Sequence, residues 1–259
     1  MYSAILSRLV LSMVLFITAN GWASNLSHFD QIKALIDERA LEAAITEMKV
    51  KADKEQLSNT EITILSALFF AESGRPGKAL QLVEKAEFMT TQFESEIAET
   101  KARAHFAQGN LTVAQDMAKI AVNADQSNRA AQLILLKVSG EFAGQLQEDA
   151  FEKLLRESKN EKTVWLAYLD QALRFNANEM SLADRAYIEL GNSGLMIEYR
   201  ARFMFQSGSP YDAFQLFTSA QAAYQKEANT IAANRVSRWL EIHQRYSEKP
   251  KNPPPPVVK

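Results

Sequence analysis

Gly74, Pro76, Gly77 and Lys78, crowded between Glu72 and Ala79, have the composition of a loop that cradles phosphate. Such a loop needs a glycine five residues before its Gly-Lys pair, a hydroxyl after it and a strand in front. Here the first position is Glu72, whose charge repels phosphate, and Ala79 offers no hydroxyl for magnesium. No strand precedes it, so the stretch reads as a turn. Other chemistry is bounded in the same way. The 259 residues contain no cysteine, which removes disulfides, thiolate nucleophiles, Cys-ligated zinc and a lipobox-type anchor. His28, His105 and His243 stand far apart and form no ligand-spaced pair, so no metal site is expected. Acidic residues alternate with Lys and Arg as solvated helix faces do. With no nucleophile–base constellation, neither a catalytic residue nor a cofactor is assigned. Lys+Arg 29 against Asp+Glu 31 gives no basic excess, which argues against nucleic acid as a partner.

One pattern recurs. Glu99, Arg103 and Phe106 in "ETKARAHF" return 99 residues later as Glu198, Arg202 and Phe205 in "EYRARFMF". By themselves, Glu and Arg four apart stabilise an exposed helix modestly, and Phe belongs to a core. Anything more depends on the elements that carry them.

Those elements are organised by sparse breakers. Gly74, Gly109 and Gly144 are 35 residues apart, and Gly208 follows 64 later, near twice 32, with Asn176 or Asn178 available for the vacant slot. A period in the thirties marks an array of two-helix repeats. Five residues after three of the glycines stand Ala79, Ala114 and Ala213, and seven before them Ala67, Ala102 and Ala201. Alanine at those positions lets two antiparallel helices approach closely. "SGSPYD" offers Ser209 as N-cap, Pro210 at the first helical position and Asp212 in the first turn. Ser27 and Asp30 form a looser capping pair. No strand pattern appears between Ser24 and Tyr246, so the fold class is all-α.

Both ends differ from the middle. Arg8 precedes an apolar run from Leu9 to Ala19, too short to span a bilayer, with Gly21 and Ala23 after it. Residues 1–23 read as a cleavable signal peptide, which predicts a periplasmic protein; the alternative is an uncleaved anchor in the inner membrane. Residues 24–246 form the helical repeat domain. Ile231, Val236, Trp239, Ile242 and Tyr246 give the last helix one apolar face, suited to cap the array or, alternatively, to meet a partner. Residues 247–259 are a proline-rich disordered tail, "KPKNPPPPVVK" at its end, read as a tether or a ligand for an aromatic groove.

The in-phase glycines and alanines resemble the tetratricopeptide-repeat family. Ala201 with Met204, then Ala213 with Phe217, is the best copy; Ala67, Phe70, Ala79 and Val83 give another. The repeats are divergent: the family's early Trp, Leu-Gly pair and late proline are missing. Ala44, one 35-residue step before Ala79, points to a degenerate first unit. The resemblance implies a TPR-like α-solenoid of five to six antiparallel helix pairs with a C-terminal capping helix. It also implies a concave groove for a protein or peptide partner. Glu99, Arg103, Phe106, Glu198, Arg202 and Phe205 would line that groove, the arginines receiving a carboxylate and the phenylalanines serving as anchors. The function expected is an exported scaffold or adaptor in a cell-envelope complex. The alternative is an envelope hydrolase acting on peptidoglycan or polysaccharide, or its regulatory subunit.

Overall fold

The structure, a computed structural model, describes residues 27–248 apart from 89, 91, 159, 160, 178 and 179. The signal segment 1–23 and residues 249–259 of the tail lie outside the described residues. Among the described residues the chain forms α-helices and one short 3-10 turn, with no strand. Six antiparallel pairs follow one another. They are α1 (His28–Asp37) with α2 (Leu41–Asp53), α3 (Asn59–Glu72) with α4 (Pro76–Glu87), and α5 (Glu94–Ala107) with α6 (Leu111–Ala124). Then come α7 (Arg129–Ala143) with α8 (Glu148–Glu157), α9 (Lys162–Arg174) with α10 (Met180–Leu190), and α11 (Gly194–Gln206) with α12 (Pro210–Lys226). A single helix, α13 (Thr230–Ile242), closes the series.

The turn inside each pair is built once and repeated. The residue after the turn's left-handed position donates its N–H to the carbonyl six residues upstream, counting both ends. The bonds are Ala40 to Leu35, Arg75 to Phe70, Asn110 to His105, Gln145 to Gly140, Ala177 to Ala172 and Ser209 to Met204, at 2.8–3.1 Å. This is the Schellman arrangement, and its left-handed residue is most easily glycine. Gly74, Gly109, Gly144 and Gly208 hold it with φ from +66° to +85°. Asn176 takes the vacant slot at φ 48°, as its tolerance for that conformation allows. In the first pair the position belongs to Arg39, at φ 60°. It lies 35 residues before Gly74 and keeps the period while carrying a long cation where the others carry no side chain or a short amide.

The alanines sit where helices touch: Ala67, Ala79, Ala102, Ala114, Ala201 and Ala213 are fully buried. The fourth and fifth pairs depart from this. The corresponding positions are Lys137 and Asp149 in the fourth, where α7 and α8 have almost no close backbone approach, and Leu169 and Ser181 in the fifth.

The caps are more selective than the residue types imply. Ser27 Oγ accepts from Asp30 N at 3.1 Å, and Ser58 with Glu61 forms a full capping box at the start of α3. Ser209 stands at the N-cap of α12 and Pro210 starts the helix, but the serine side chain makes no capping bond.

Helix α13 packs Ala232, Ala233 and Val236 on the last pair, with Trp239 stacked on Phe217 at 3.9 Å between ring centroids. It also reaches the other end of the chain: Ile231 packs against the first core, which contains Phe29, Ile32, Leu41 and Leu65. The solenoid therefore closes on itself. Ile242, expected on the packed face, is instead 76% exposed. It lies eleven residues beyond Ile231, about 16 Å along the helix, past the edge of the core that Ile231 meets.

Candidate functional site

Closure puts the first helices of the pairs around a common interior, and their charged residues meet there. Lys33 and Asp37 come from α1, Arg39 from its turn, Glu72 from the end of α3, and Glu99 and Arg103 from α5. Lys137 comes from α7, Asp170 from α9 and Tyr199 from α11. Arg39 Nε donates to Glu72 at 2.8 Å, while its two terminal nitrogens reach Asp170 and the Tyr199 hydroxyl. Tyr199 Oη donates to Asp170 Oδ1 at 2.6 Å. Arg103 bridges Asp37, Glu72 at 3.3 Å and Glu99 at 2.5 Å. Lys33 adds contacts of 3.0 Å to Asp37 and 3.1 Å to Glu99, and Asn128 Nδ2 donates to Glu99 at 2.9 Å.

Opposed charges decide the protonation of this interior. Burial alone would raise the Glu99 carboxyl, but Lys33, Arg103 and the Asn128 amide outweigh it and hold the group at about 2. Burial likewise works against Asp170, and Arg39 and Lys137 bring it to about 2. Glu72 is held below the ordinary range in the same way, by Arg39 and Arg103 against burial. Burial lowers the Lys137 ammonium, partly opposed by Asp170 and Glu72. Tyr199 moves up, from burial first and then from the carboxylate of Asp170. The carboxylates and arginines of the cluster are thus fixed charges at neutral pH.

Two cavities adjoin at Lys137 and Asp170. The smaller, ≈ 100 Å³, lies among Arg39, Glu72, Arg103, Arg129, Lys137 and Asp170. The larger, ≈ 660 Å³, has α7 as its floor and the C-terminal ends of α5 and α9 as walls, with Phe106, Leu111, Lys137, Glu141, Leu173 and Arg174 facing it. It lies beside the fourth pair, which has Lys137 and Asp149 in place of the close-packing alanines. Lys137 Nζ stands 5.0 Å over the Phe106 ring, and Arg174 pairs with Glu141 at 3.0 Å on the rim.

The structure separates the two halves of the Glu-Arg-Phe echo. Arg103 faces the small cavity and Phe106 the large one. Glu99 and Glu198 are buried, each joined to its arginine four residues on. Glu198 also accepts from Tyr224 at 2.7 Å and Arg235 at 2.5 Å, tying α11 to α12 and α13. Arg202 stands 5.7 Å over the Tyr199 ring. Phe205 is engaged by Trp239, His243 and Tyr246, so the capping helix and the turn after it cover it. The sequence pattern does not single out Arg39, Lys137, Asp170 or Tyr199, and Glu72 stands out in it only as a charge that repels phosphate. Two of them carry a legible signal: Arg39 replaces a turn glycine and Lys137 replaces a pairing alanine.

The geometry defines a class, an all-α solenoid of the tetratricopeptide-repeat type with a C-terminal capping helix. In comparison with solved structures, the chain is similar to a tetratricopeptide repeat protein from Parabacteroides merdae, known from its crystal structure. The TM-score is 0.51 and the identity 16%, covering 83% of this chain and 86% of that one. The likeness is one of fold. No family model matches the sequence, and no curated protein does.

Proposed function

We propose that this protein is an exported scaffold whose inner face receives a segment of a protein partner in a cell-envelope complex. The observation that carries the reading is the larger cavity. Its walls offer the apolar side chains of Phe106, Leu111 and Leu173 beside fixed charges, in a preformed surface that needs little ordering on binding. A partner side chain would seat against Phe106 and Leu173, with Lys137 and the Arg174–Glu141 pair orienting polar groups at the edge. Arg103 and Phe106 serve the surface, Arg103 through the ion network beneath it. Glu198, Arg202 and Phe205 hold the capping end in place. Export rests on Arg8, the Leu9–Ala19 run and the small residues Gly21 and Ala23, with a location in the periplasm.

The hydrolase alternative is less well supported. A hydrolytic general acid needs a raised carboxyl, and Glu72 and Asp170, which face the cavities, are shifted the other way.

Crosslinked co-purification from the native envelope tests the reading, comparing the wild-type chain with Phe106→Ala and with Leu173→Ala. A specific protein recovered with the wild type and lost from both folded variants supports it. Recovery of the same protein with all three overturns the cavity as the docking surface. Sequencing the N-terminus of the mature chain tests export: a start near Ser24 is expected, and an intact Met1 overturns cleavage.

A further inference from the structure

We propose that Arg39 is a latch that keeps the solenoid closed and thereby sets access to its inner face. In five of the six equivalent turns the left-handed position holds glycine or Asn176, and only the first holds a long side chain. That turn geometry aims the guanidinium across the interior. It joins Asp170, 131 positions along the chain, and Tyr199, 160 along, while keeping Glu72 of the neighbouring pair. Arg39 is thus the point where the first turn, the third helix, the ninth and the eleventh are fastened together. A planar fork with five donors suits this better than lysine, because it serves three acceptors in fixed directions.

Lys162 and Ile231 also make contacts across the same seam, and neither replaces the latch. Lys162 pairs with Glu38 at 3.2 Å, at a half-exposed site that solvent screens. Ile231 packs on the first core from the far end. The remaining ion pairs of the interior, Arg103 with Asp37, Glu72 and Glu99 and Lys33 with Asp37 and Glu99, lie within the first three pairs and survive without Arg39. Loss of Arg39 therefore frees the α9–α11 wall from the α1–α3 wall without dissolving either. The smaller cavity lies between those walls, and it adjoins the larger one at Asp170. Opening the latch would join them into one groove.

The proposal deepens the scaffold reading by adding its regulation, and its test needs no partner. The absence of native cysteine allows clean spin labelling at two introduced cysteines, Lys49→Cys on α2 and Arg238→Cys on α13, both exposed. Pulsed dipolar spectroscopy on the full chain reads the distance between the two ends. In the wild-type background one narrow distribution is expected. Arg39→Gly, which suits the backbone of this turn, is expected to shift it to longer and broader separations while far-UV circular dichroism stays unchanged. Asp170→Asn, which removes the other side of the latch, should do the same. Unchanged distributions in both folded variants overturn the latch. If Arg39→Gly loses helix content, Asp170→Asn alone decides. An unmoved distance leaves the scaffold reading standing, and failure to recover a partner leaves the distance result standing, so the two fail separately.

Discussion

Glu99 shows how a side chain can be buried and still carry its charge. It is fully enclosed, yet three groups from three helices or their caps meet its oxygens: Lys33, Arg103 and Asn128. Removing one member of such a set leaves the others buried without compensation. Glu99→Gln is expected to cost about 3 kcal/mol at neutral pH, read from urea unfolding. The sign of the pH dependence follows from the lowered carboxyl. Its stabilisation is present above the ordinary value of 4.5 and is lost as pH falls toward about 2. Asp170 adds a loss in the same direction as pH falls from 3.8 toward about 2. Melting temperature should therefore drop between pH 5 and 2 in the wild type, and drop less steeply in Glu99→Gln; parallel curves would refute the assignment. The arginine partners stay charged throughout, so the loss comes from the carboxylates.

Among the elements, the turns offer the sharpest contrasts. A Cβ added at Gly109 meets nothing within 4 Å, but its φ of +78° is one an L side chain avoids. Gly109→Ala should therefore cost about 1–2 kcal/mol from backbone conformation alone. Ser58→Ala breaks a complete capping box and should cost about 1 kcal/mol. Ser209→Ala removes no capping bond and should be nearly silent in the same denaturation assay. These positions also mark how far the sequence could be read. Helix pairs, turn glycines and most pairing alanines are local and periodic, so their spacing locates them and narrows the vacant slot to Asn176 or Asn178, of which Asn176 takes the left-handed position. The Ser58 box follows no such period, and Ser with Glu three residues on is also common away from helix starts. The interior network could not be foreseen from helix faces either. Arg39 and Asp170 are 131 residues apart, and nothing in a repeat period says where a solenoid bends back upon itself. The Glu-Arg-Phe echo was legible as a pattern. Its two copies part ways because α7 follows one and the capping helix the other.

At the scale of the whole molecule, contact between the two ends changes how stability is shared. A linear array of repeats is held by nearest neighbours alone and can fray from either end. Here Ile231 on the first core and Arg39 on Asp170 and Tyr199 add long-range links that couple the first repeat to the fifth, the sixth and the cap. Trp165 in the fifth pair and Trp239 on the cap are separate reporters of one unfolding process. Single-tryptophan variants keeping one or the other should give coincident urea transitions, where an open array would give transitions at different concentrations. The widely set fourth pair has a further meaning once the ring is considered under load. With almost no close backbone approach between α7 and α8, it is the loosest of the six pairs, the fifth coming next. A pull applied between the two ends would be borne first by the contacts that close the ring, Ile231 on the first core and Arg39 on Asp170 and Tyr199. Past their rupture, strain would collect at the fourth pair, and the molecule would lengthen there while its tighter repeats stayed intact.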